Sequence, residues 1–320
     1  MIFYHQYIRF EDKYKDEDIE KGIIHTYVVN PNDIDHSKFL YLTGSSSNHF
    51  KINLCMLLQL FYVDISASIV FFNFGLKLDE VKLIFKLFNT IHQLRSDKYS
   101  GVFFYREINW KENPSFLKKQ NKFSIISLKG IAPINVAEEC QCTVFWLDAG
   151  DLVGDEFPSL YDDVVQYGVR SSQSSGPMTK YIHMGMFDYF KDKLPVIYDD
   201  KEMCSSGFMG IDYNNENGYK NVGLMMRECC YRERCVLPKG SNLTNHRQEQ
   251  SALSLLVHTY NVTGACNRYY SKNPKIVTFH NDKMIQENAF IPFLVNTTNK
   301  IGHKYNISDF SRVILDLLQF

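Results

Sequence analysis

The chain has 320 residues, of which 45% are apolar and 22% are charged, a mixture typical of a globular protein. Its formal net charge is −1 at pH 7, so no overall charge attracts it to nucleic acid or to an anionic membrane surface. We therefore exclude nucleic acid as a partner, and an anionic ligand has to be bound by local basic groups.

The first 37 residues are mostly polar and contain a run of charges from Glu11 to Lys21. We interpret residues 1–37 as an N-terminal arm and residues 38–320 as a single catalytic domain. The N-terminus lacks the basic segment and apolar segment of a signal peptide, and no stretch of about 18 apolar residues is present to span a membrane.

In the first half of the domain, short apolar runs alternate with segments whose apolar residues recur at helical spacing. Strands are predicted at 39–42, 67–73, 101–105 and 143–147, and helices at 49–61, 78–88 and 119–128. A Gly/Ser loop at 43–48 follows the first strand, and Asn48 is the predicted N-cap of the first helix. This alternation predicts an α/β fold with a mostly parallel sheet flanked by helices. Ligands bind beyond the carboxyl ends of such strands, so we expect the Gly44 loop and the Asp148 loop to share a cleft.

The second half of the chain has a more mixed pattern. Strands are predicted at 164–170, 207–212 and 275–279, helices at 184–191, 219–227 and 248–260, and a loop at 171–177.

The eight cysteines do not have the spacing of a zinc site. Cys55 lies in an apolar run and is expected to be a buried thiol. A disulfide is expected in the cluster that runs from Cys229 to Cys235. Four Asn-X-Ser/Thr sequons occur in the last quarter of the chain, at Asn242, Asn261, Asn296 and Asn306.

Two carboxylates follow the strand at 143–147, in the sequence Phe145-Trp-Leu-Asp148-Ala-Gly-Asp151. Mg²⁺ and Mn²⁺ prefer oxygen ligands, so this pair is a candidate metal site that would neutralise charge on a leaving diphosphate. The alternative is structural: Asp151 caps a following helix, and Asp148 lies in a turn.

A second polar cluster precedes the helix predicted at 248–260. Arg247 is a candidate to pair with phosphate, and Glu249 is a candidate to orient a sugar hydroxyl or to accept a proton. The alternative is an acidic residue placed by the dipole of a helix N-terminus. His183, His246 and His280 are candidate metal or phosphate contacts, and His280 ends a predicted strand.

The chain lacks the P-loop, the dinucleotide-binding glycine fingerprint, the G-x-S-x-G elbow and the H-E-x-x-H zinc motif. These absences argue against a P-loop enzyme, a dinucleotide oxidoreductase, a serine hydrolase and a zincin.

Five stretches, taken in order, resemble a little-characterised family of GT-A-type nucleotide-diphospho-sugar transferases. They are Tyr41-Leu-Thr-Gly-Ser-Ser-Ser-Asn48-His49-Phe50, Phe71-Phe-Asn-Phe-Gly75-Leu76, Phe145-Trp-Leu-Asp148-Ala-Gly, Cys230-x4-Cys235-Val-Leu-Pro238-x-Gly240-Ser241 and His246-Arg247-Gln-Glu249-Gln250-Ser-Ala-Leu253. The resemblance implies a GT-A-like fold, a nucleotide-sugar donor, and an enzyme of the Golgi or ER lumen.

The resemblance also implies residue roles. Asp148 matches the first Asp of the D-x-D metal motif, whereas Gly150 stands at its third position and Asp151 comes one residue late. Glu249 and Gln250 match an acidic-Gln pair near the donor sugar, and His280 is the candidate for a C-terminal histidine on the metal. Nucleotide binding is assigned to the remaining candidates, which are Thr43, Gly44, Ser45, Asn48 and Arg247.

The preferred hypothesis is a metal-assisted hexosyl- or pentosyltransferase that uses a UDP- or GDP-sugar and a glycan, protein or lipid acceptor. The imperfect metal motif keeps open an inactive sugar- or nucleotide-binding module on the same fold. A metal-dependent phosphohydrolase is the third hypothesis.

Overall fold

The computed structural model describes residues 6–9, 32, 34–94, 101–108, 114–117, 122–195, 200–262, 264–278 and 287–318. His280 lies outside these residues, so its assignment to a metal site stays a prediction.

The described part of the chain contains a main sheet of eight strands and a separate two-stranded sheet. In chain order the strands are β1 (Gln6–Arg9), β2 (Leu40–Ser45), β3 (Ser68–Asn73), β4 (Phe103–Glu107), β5 (Thr143–Leu147), β6 (Leu152–Val153), β7 (Val169–Pro177), β8 (Glu202–Asp212), β9 (Cys266–Asn267) and β10 (Val277–Thr278). The main sheet has the order β1-β4-β3-β2-β5-β8-β7-β9, and β6 pairs with β10.

Strands β4, β3, β2 and β5 run parallel to one another, whereas β8 is antiparallel to both β5 and β7. β1 adds an antiparallel strand beside β4, and β9 runs parallel to β7. The predicted α/β fold with a mixed, mostly parallel sheet is therefore confirmed. Because β2 and β5 are adjacent and parallel, their carboxyl ends lie next to each other, as expected for a shared cleft.

Helices connect the strands and pack on both faces of the sheet. The α-helices are α1 (Phe50–Val63), α2 (Leu78–Leu94), α3 (Lys122–Lys129), α4 (Ala132–Cys140), α5 (Leu160–Tyr167), α6 (Met178–Tyr181), α7 (Met184–Phe190), α8 (Met225–Cys230), α9 (Glu233–Val236), α10 (Gln248–Thr259), α11 (Arg268–Lys272), α12 (Glu287–Tyr305) and α13 (Phe310–Leu318). A π-helix at Asn217–Leu224 leads into α8. None of the described helices combines the length and apolar character needed to cross a membrane.

Successive side chains of the central strands point to opposite faces of the sheet, so the molecule has two hydrophobic cores, one on each face. On β5, Val144 and Trp146 face one core, and Phe145 and Leu147 face the other. Helices α4, α8 and α10 contribute to the first core. Helices α1, α2, α12 and α13 contribute to the second. The central strands are thus buried on both faces, which explains their nearly continuous apolar sequences.

Two local predictions in the second half are wrong. The segment predicted as a strand at 164–170 ends α5 and begins β7, with Gly168 at a φ of 84° between them. The segment predicted as a loop at 171–177 forms most of β7. Its Ser171 hydroxyl donates a 2.6 Å bond to the Ser205 carbonyl and accepts a 3.0 Å bond from the Ser205 amide. These bonds satisfy the Ser171 hydroxyl in the buried first half of β7.

The arm proposed at residues 1–37 contains β1 of the main sheet, at Gln6–Arg9. Two local predictions that follow the arm are wrong. Strand β2 extends to Ser45, so Thr43, Gly44 and Ser45 lie in a strand and not in a loop. His49, not Asn48, is the N-cap position of α1.

Candidate active site

Asp148 directly follows β5 at the carboxyl end of the parallel strands. Its amide continues the ladder by donating a 2.8 Å hydrogen bond to the Gly207 carbonyl on β8. Trp146 lies two residues earlier on the same face, and its indole Nε1 donates to Asp148 Oδ1 at 2.8 Å. A Cβ atom on Gly207 would lie 2.6 Å from Asp148 Oδ2. Glycine at position 207 therefore allows the carboxylate to lie against the neighbouring strand.

Lys129 joins two of the acidic side chains from the last residue of α3. Its Nζ lies 2.6 Å from Asp148 Oδ2 and 3.9 Å from Glu249 Oε1. Burial by itself lowers the pKa of the Lys129 ammonium, but Asp148, Glu249 and Asp151 outweigh burial and raise it. Lys129 is therefore charged and forms the positive centre of the cluster.

Glu249 lies in the first turn of α10, and its side chain is only 4% exposed. Its Oε1 accepts a 2.7 Å hydrogen bond from the Ser206 hydroxyl on β8. Its Oε2 is buried and has no hydrogen-bond partner among the described residues. Burial raises the pKa of Glu249 to about 7, and Lys129 and Ser206 only partly oppose this effect. A carboxyl with this pKa can give or accept a proton near neutral pH.

Asp151 is fully buried, and its amide donates a 3.0 Å hydrogen bond to the Asp148 carbonyl, which closes a turn. β6 follows Asp151 directly, so the alternative that Asp151 caps a helix is wrong. The Asp151 charge acts on Lys129 together with Asp148 and Glu249. The two aspartates therefore act on the same ammonium, and Asp148 is partly exposed whereas Asp151 is fully buried.

The cluster carries more negative than positive charge. The carboxylates of Asp148, Asp151 and Glu249 surround the single ammonium of Lys129. Carboxylate oxygens are ligands that a hard divalent cation prefers, but Asp148, Asp151 and Glu249 do not place their oxygens within 4.8 Å of one another. Asp148 Oδ2 already accepts from Lys129, but a carboxylate oxygen has more than one lone pair and accepts a second partner.

The residues predicted to bind the nucleotide lie mainly at the end of β2. Thr43 and Ser45 are buried, and Thr43 Oγ1 accepts a 3.2 Å hydrogen bond from Asn53. Gly44 packs so closely against Phe74 that a Cβ atom would lie 2.3 Å from that ring. Asn48 is exposed and accepts a 2.5 Å hydrogen bond from the Ser46 hydroxyl. Asn48 is thus the side chain of this group most open to a ligand.

Arg247 and Gln250 flank Glu249 at the start of α10. The Arg247 guanidinium stacks on the Tyr181 ring at 4.1 Å, and the Arg247 amide donates to Ser251 Oγ at 2.9 Å. Gln250 Nε2 is buried without a hydrogen-bond partner among the described residues. The amide of Gln250 is therefore a donor available to a ligand beside Glu249.

His183 and His246 have structural roles. His183 Nδ1 accepts a 3.0 Å hydrogen bond from the Gly185 amide and caps α7. His246 is fully buried, with its Nε2 3.0 Å from the Val236 carbonyl. Burial lowers the pKa of His246 to about 4, so its ring is neutral at pH 7.

A cavity of about 380 Å³ lies elsewhere, near the amino end of β2. Its lining includes Lys38, Tyr41, Asp64 and Tyr161. Ligands of parallel α/β sheets bind at the opposite edge, where the Asp148 cluster lies. We therefore place the candidate active site at Asp148.

The disulfide expected in the cluster from Cys229 to Cys235 is present and joins Cys229 to Cys235, and Cys55 is a buried free thiol as predicted. The described residues also contain the disulfides Cys140–Cys142 and Cys204–Cys266.

Sequence reasoning missed Lys129 and Ser206. Lys129 ends a helix and precedes Gly130, where a Cβ atom would lie 2.4 Å from Cys230 Sγ and 3.0 Å from Glu249 Cβ. The sequence signal was a basic residue followed by glycine, which is common in surface turns and does not point to Glu249.

No family model matches the sequence, and comparison with curated proteins finds no match. A comparison with solved structures does find similar chains. The galactosyltransferase LgtC, in complex with donor and acceptor sugar analogs, is 13% identical over 67% of this chain and 68% of that one, with a TM-score of 0.39. Mouse xyloside xylosyltransferase 1, in its apo form, is 7% identical over 74% of this chain and 83% of that one, with a TM-score of 0.41.

The bifunctional glycosyltransferase WbbM is 10% identical over 86% of this chain, with a TM-score of 0.46, and this chain spans 46% of its length. Glycosyltransferases are thus among the solved structures that this chain is similar to.

Proposed function

We propose that the chain transfers a sugar from a nucleotide-diphospho-sugar to an acceptor, with the reaction centred on Asp148, Lys129 and Glu249. The observation that supports this proposal most directly is their convergence at the carboxyl end of β5. Lys129 Nζ lies 2.6 Å from Asp148, and the neighbouring Glu249 has a buried oxygen with no hydrogen-bond partner among the described residues. Such a convergence of charged groups with a raised carboxyl pKa is typical of catalytic sites.

In this proposal the Lys129 ammonium keeps Asp148 and Glu249 oriented and adds positive charge beside the donor. Electrostatic stabilisation of the leaving diphosphate is expected to be the largest catalytic contribution. Glu249 and Gln250 face the transferring sugar, because each has a buried polar atom available for a hydrogen bond. The Ser45 end of β2, Asn48 and Arg247 contribute to nucleotide binding.

Mn²⁺ or Mg²⁺ fits the surplus of carboxylate at the site. Asp148, Asp151 and His280 are the residues proposed to hold the ion, with Asp151 fully buried. A bound cation supplies Lewis-acid stabilisation of the diphosphate leaving group.

The donor is proposed to be a UDP- or GDP-hexose or -pentose, and the acceptor a glycan, protein or lipid. The disulfides among the described residues support a site of action in the Golgi or ER lumen, where disulfides persist.

A screen of UDP- and GDP-sugars for donor hydrolysis, with and without Mn²⁺, tests the proposal. Asp148→Asn is expected to lower turnover of the best donor by roughly 100-fold or more. Asp162→Asn is the matched control, because Asp162 is exposed on α5, and we expect it to keep full activity. Equal rates in both variants would refute the site.

The Lys129–Asp148 ion pair also favours a second candidate function, a sugar- or nucleotide-binding module without catalysis. The ammonium occupies one of the oxygens that a metal ion would use. Calorimetry with UDP separates the two candidates: an active transferase should bind UDP more tightly with Mn²⁺, and an inactive module should show no such gain.

A further inference from the structure

Asn242 lies in an exposed turn between α9 and α10, and its sequon partner Thr244 is also exposed. The Thr244 amide and hydroxyl both donate to Asn242 Oδ1, at 2.9 Å and 2.5 Å. Both bonds end on the oxygen and not on the amide nitrogen, which is the atom that receives a glycan. The folded chain therefore presents this sequon as an accessible turn.

Asn306 lies in the turn between α12 and α13, directly after Tyr305 ends α12. Its backbone is in the left-handed region, with a φ of 52°, and its side chain is exposed. The sequon serine, Ser308, is exposed as well. This second sequon also lies in a turn with both of its polar residues open to solvent.

Asn296 differs from these two although its own side chain is exposed. It lies inside α12, and its sequon partner Thr298 is completely buried. The Thr298 hydroxyl donates a 2.7 Å hydrogen bond to the Leu294 carbonyl and pairs with Ser311 Oγ at 2.9 Å. The Thr298 hydroxyl, which the glycosylating enzyme has to recognise, is therefore enclosed in the fold.

We propose that Asn242 and Asn306 carry N-linked oligosaccharides and that Asn296 does not. Asn261 is not assigned, because its partner Thr263 lies outside the described residues. The proposal is independent of the reaction at Asp148. It agrees with the disulfides of the described chain, since both modifications are made in the same oxidising compartment.

The modification is a group transfer from a lipid-linked diphosphate oligosaccharide. The Asn Nδ2 forms a bond to the anomeric carbon of the first sugar and loses one proton. The bond from that carbon to the diphosphate oxygen breaks, and the lipid diphosphate leaves. No oxidant or reductant is needed, and the side chain keeps its carbonyl oxygen.

The test is production of the full chain behind a cleavable secretion signal in a glycosylating eukaryotic host. An amidase that removes N-glycans is then applied in heavy-oxygen water, which converts each glycosylated Asn to labelled Asp. Peptide mass spectrometry reads each sequon separately. We expect label at Asn242 and Asn306 and none at Asn296.

Three variants check the assignment on the intact protein. Thr244→Ala and Ser308→Ala should each remove the mass of one glycan, whereas Asn296→Gln should leave the glycan mass unchanged. An unlabelled Asn242 or Asn306 would overturn the proposal for that residue. A label at Asn296 would overturn the structural criterion that separates the three sequons.

Discussion

The ammonium of Lys129 lies 2.6 Å from Oδ2 of Asp148 and connects the end of α3 to the end of β5. The two residues are 19 positions apart, and the Lys129 side chain is only 15% exposed. An ion pair this enclosed is costly to break from one side, because the remaining charge loses its oppositely charged partner in a largely buried place.

Lys129→Met is expected to destabilise the protein by about 3 kcal/mol or more, since it leaves Asp148 and Asp151 without their shared cation. Lys129→Arg should keep most of the stability. Urea denaturation measures both effects, and a double-mutant cycle with Asp148→Asn gives the coupling energy. In the Asp148→Asn background the cost of Lys129→Met should fall. Equal costs in both backgrounds would contradict the pairing.

Gly207→Ala tests how closely Asp148 packs against β8. The new Cβ atom would lie 2.6 Å from Asp148 Oδ2, so the carboxylate has to move. We expect a loss of about 1–3 kcal/mol in stability, typical of an overpacked site, and at least a tenfold fall in donor turnover. Ser205→Ala on the same strand is the control, because Ser205 contacts Ser171 through its backbone. A Gly207→Ala enzyme as active as this control would show that the position of Asp148 does not matter.

Glu249→Gln should make the protein more stable above pH 7 while abolishing transfer. The folded pKa of about 7 lies above the usual value of 4.5, so the folded state binds more protons in that interval. Wild-type stability therefore falls as pH rises from about 4.5 to 7, and the variant lacks this loss. Thermal unfolding at pH 5 and pH 8 measures the difference. If the stability gained by Glu249→Gln over the wild type did not grow with pH, that result would contradict the burial assigned to Glu249.

The central strands could be predicted because they are apolar, rich in aromatic and β-branched residues, and bounded by polar turns. β5 begins at Thr143 and ends at Leu147 as the sequence indicated. β7 could not be predicted in this way. Its Ser171 satisfies its hydroxyl through the backbone of Ser205, a contact that only the tertiary structure provides.

The site was predictable only in part for a related reason. Asp148 follows an apolar strand, and Glu249 opens an apolar helix, so each has a local signal. Lys129 has none, because its role depends on three distant segments that meet in space. β8 runs antiparallel to β5 in an otherwise parallel centre of the sheet. This direction likewise follows from packing and cannot be predicted from the sequence of β8.

His246 predicts a separate pH dependence of stability. Its pKa is about 4 in the fold and 6.5 in the unfolded chain, so the unfolded state binds more protons between these values. Stability should therefore fall as pH drops from about 6.5 to 4, by roughly 3 kcal/mol in total from this residue. His246→Gln should flatten this part of the profile. Urea midpoints at pH 7 and pH 4.5 give the comparison, and parallel profiles for both proteins would show that His246 is not the cause.

The disulfide between Cys204 and Cys266 joins β8 to β9 and closes a loop with a sequence separation of 62. On the chain-entropy account, a crosslink over a loop of this length stabilises the fold by about 4 kcal/mol. The Cys140–Cys142 disulfide has a separation of only 2, for which the same account gives about 1 kcal/mol.

Urea denaturation of the Cys204→Ser/Cys266→Ser protein should therefore show the larger loss, with Cys140→Ser/Cys142→Ser as the matched control. Donor turnover should also fall in the first variant, because β8 carries Ser206 and Gly207 only two and three residues beyond Cys204. Equal losses of stability in the two variants would show that loop length does not determine what these bridges contribute. Loss of stability with full turnover would show that the Glu249 and Asp148 contacts of β8 persist without the bridge.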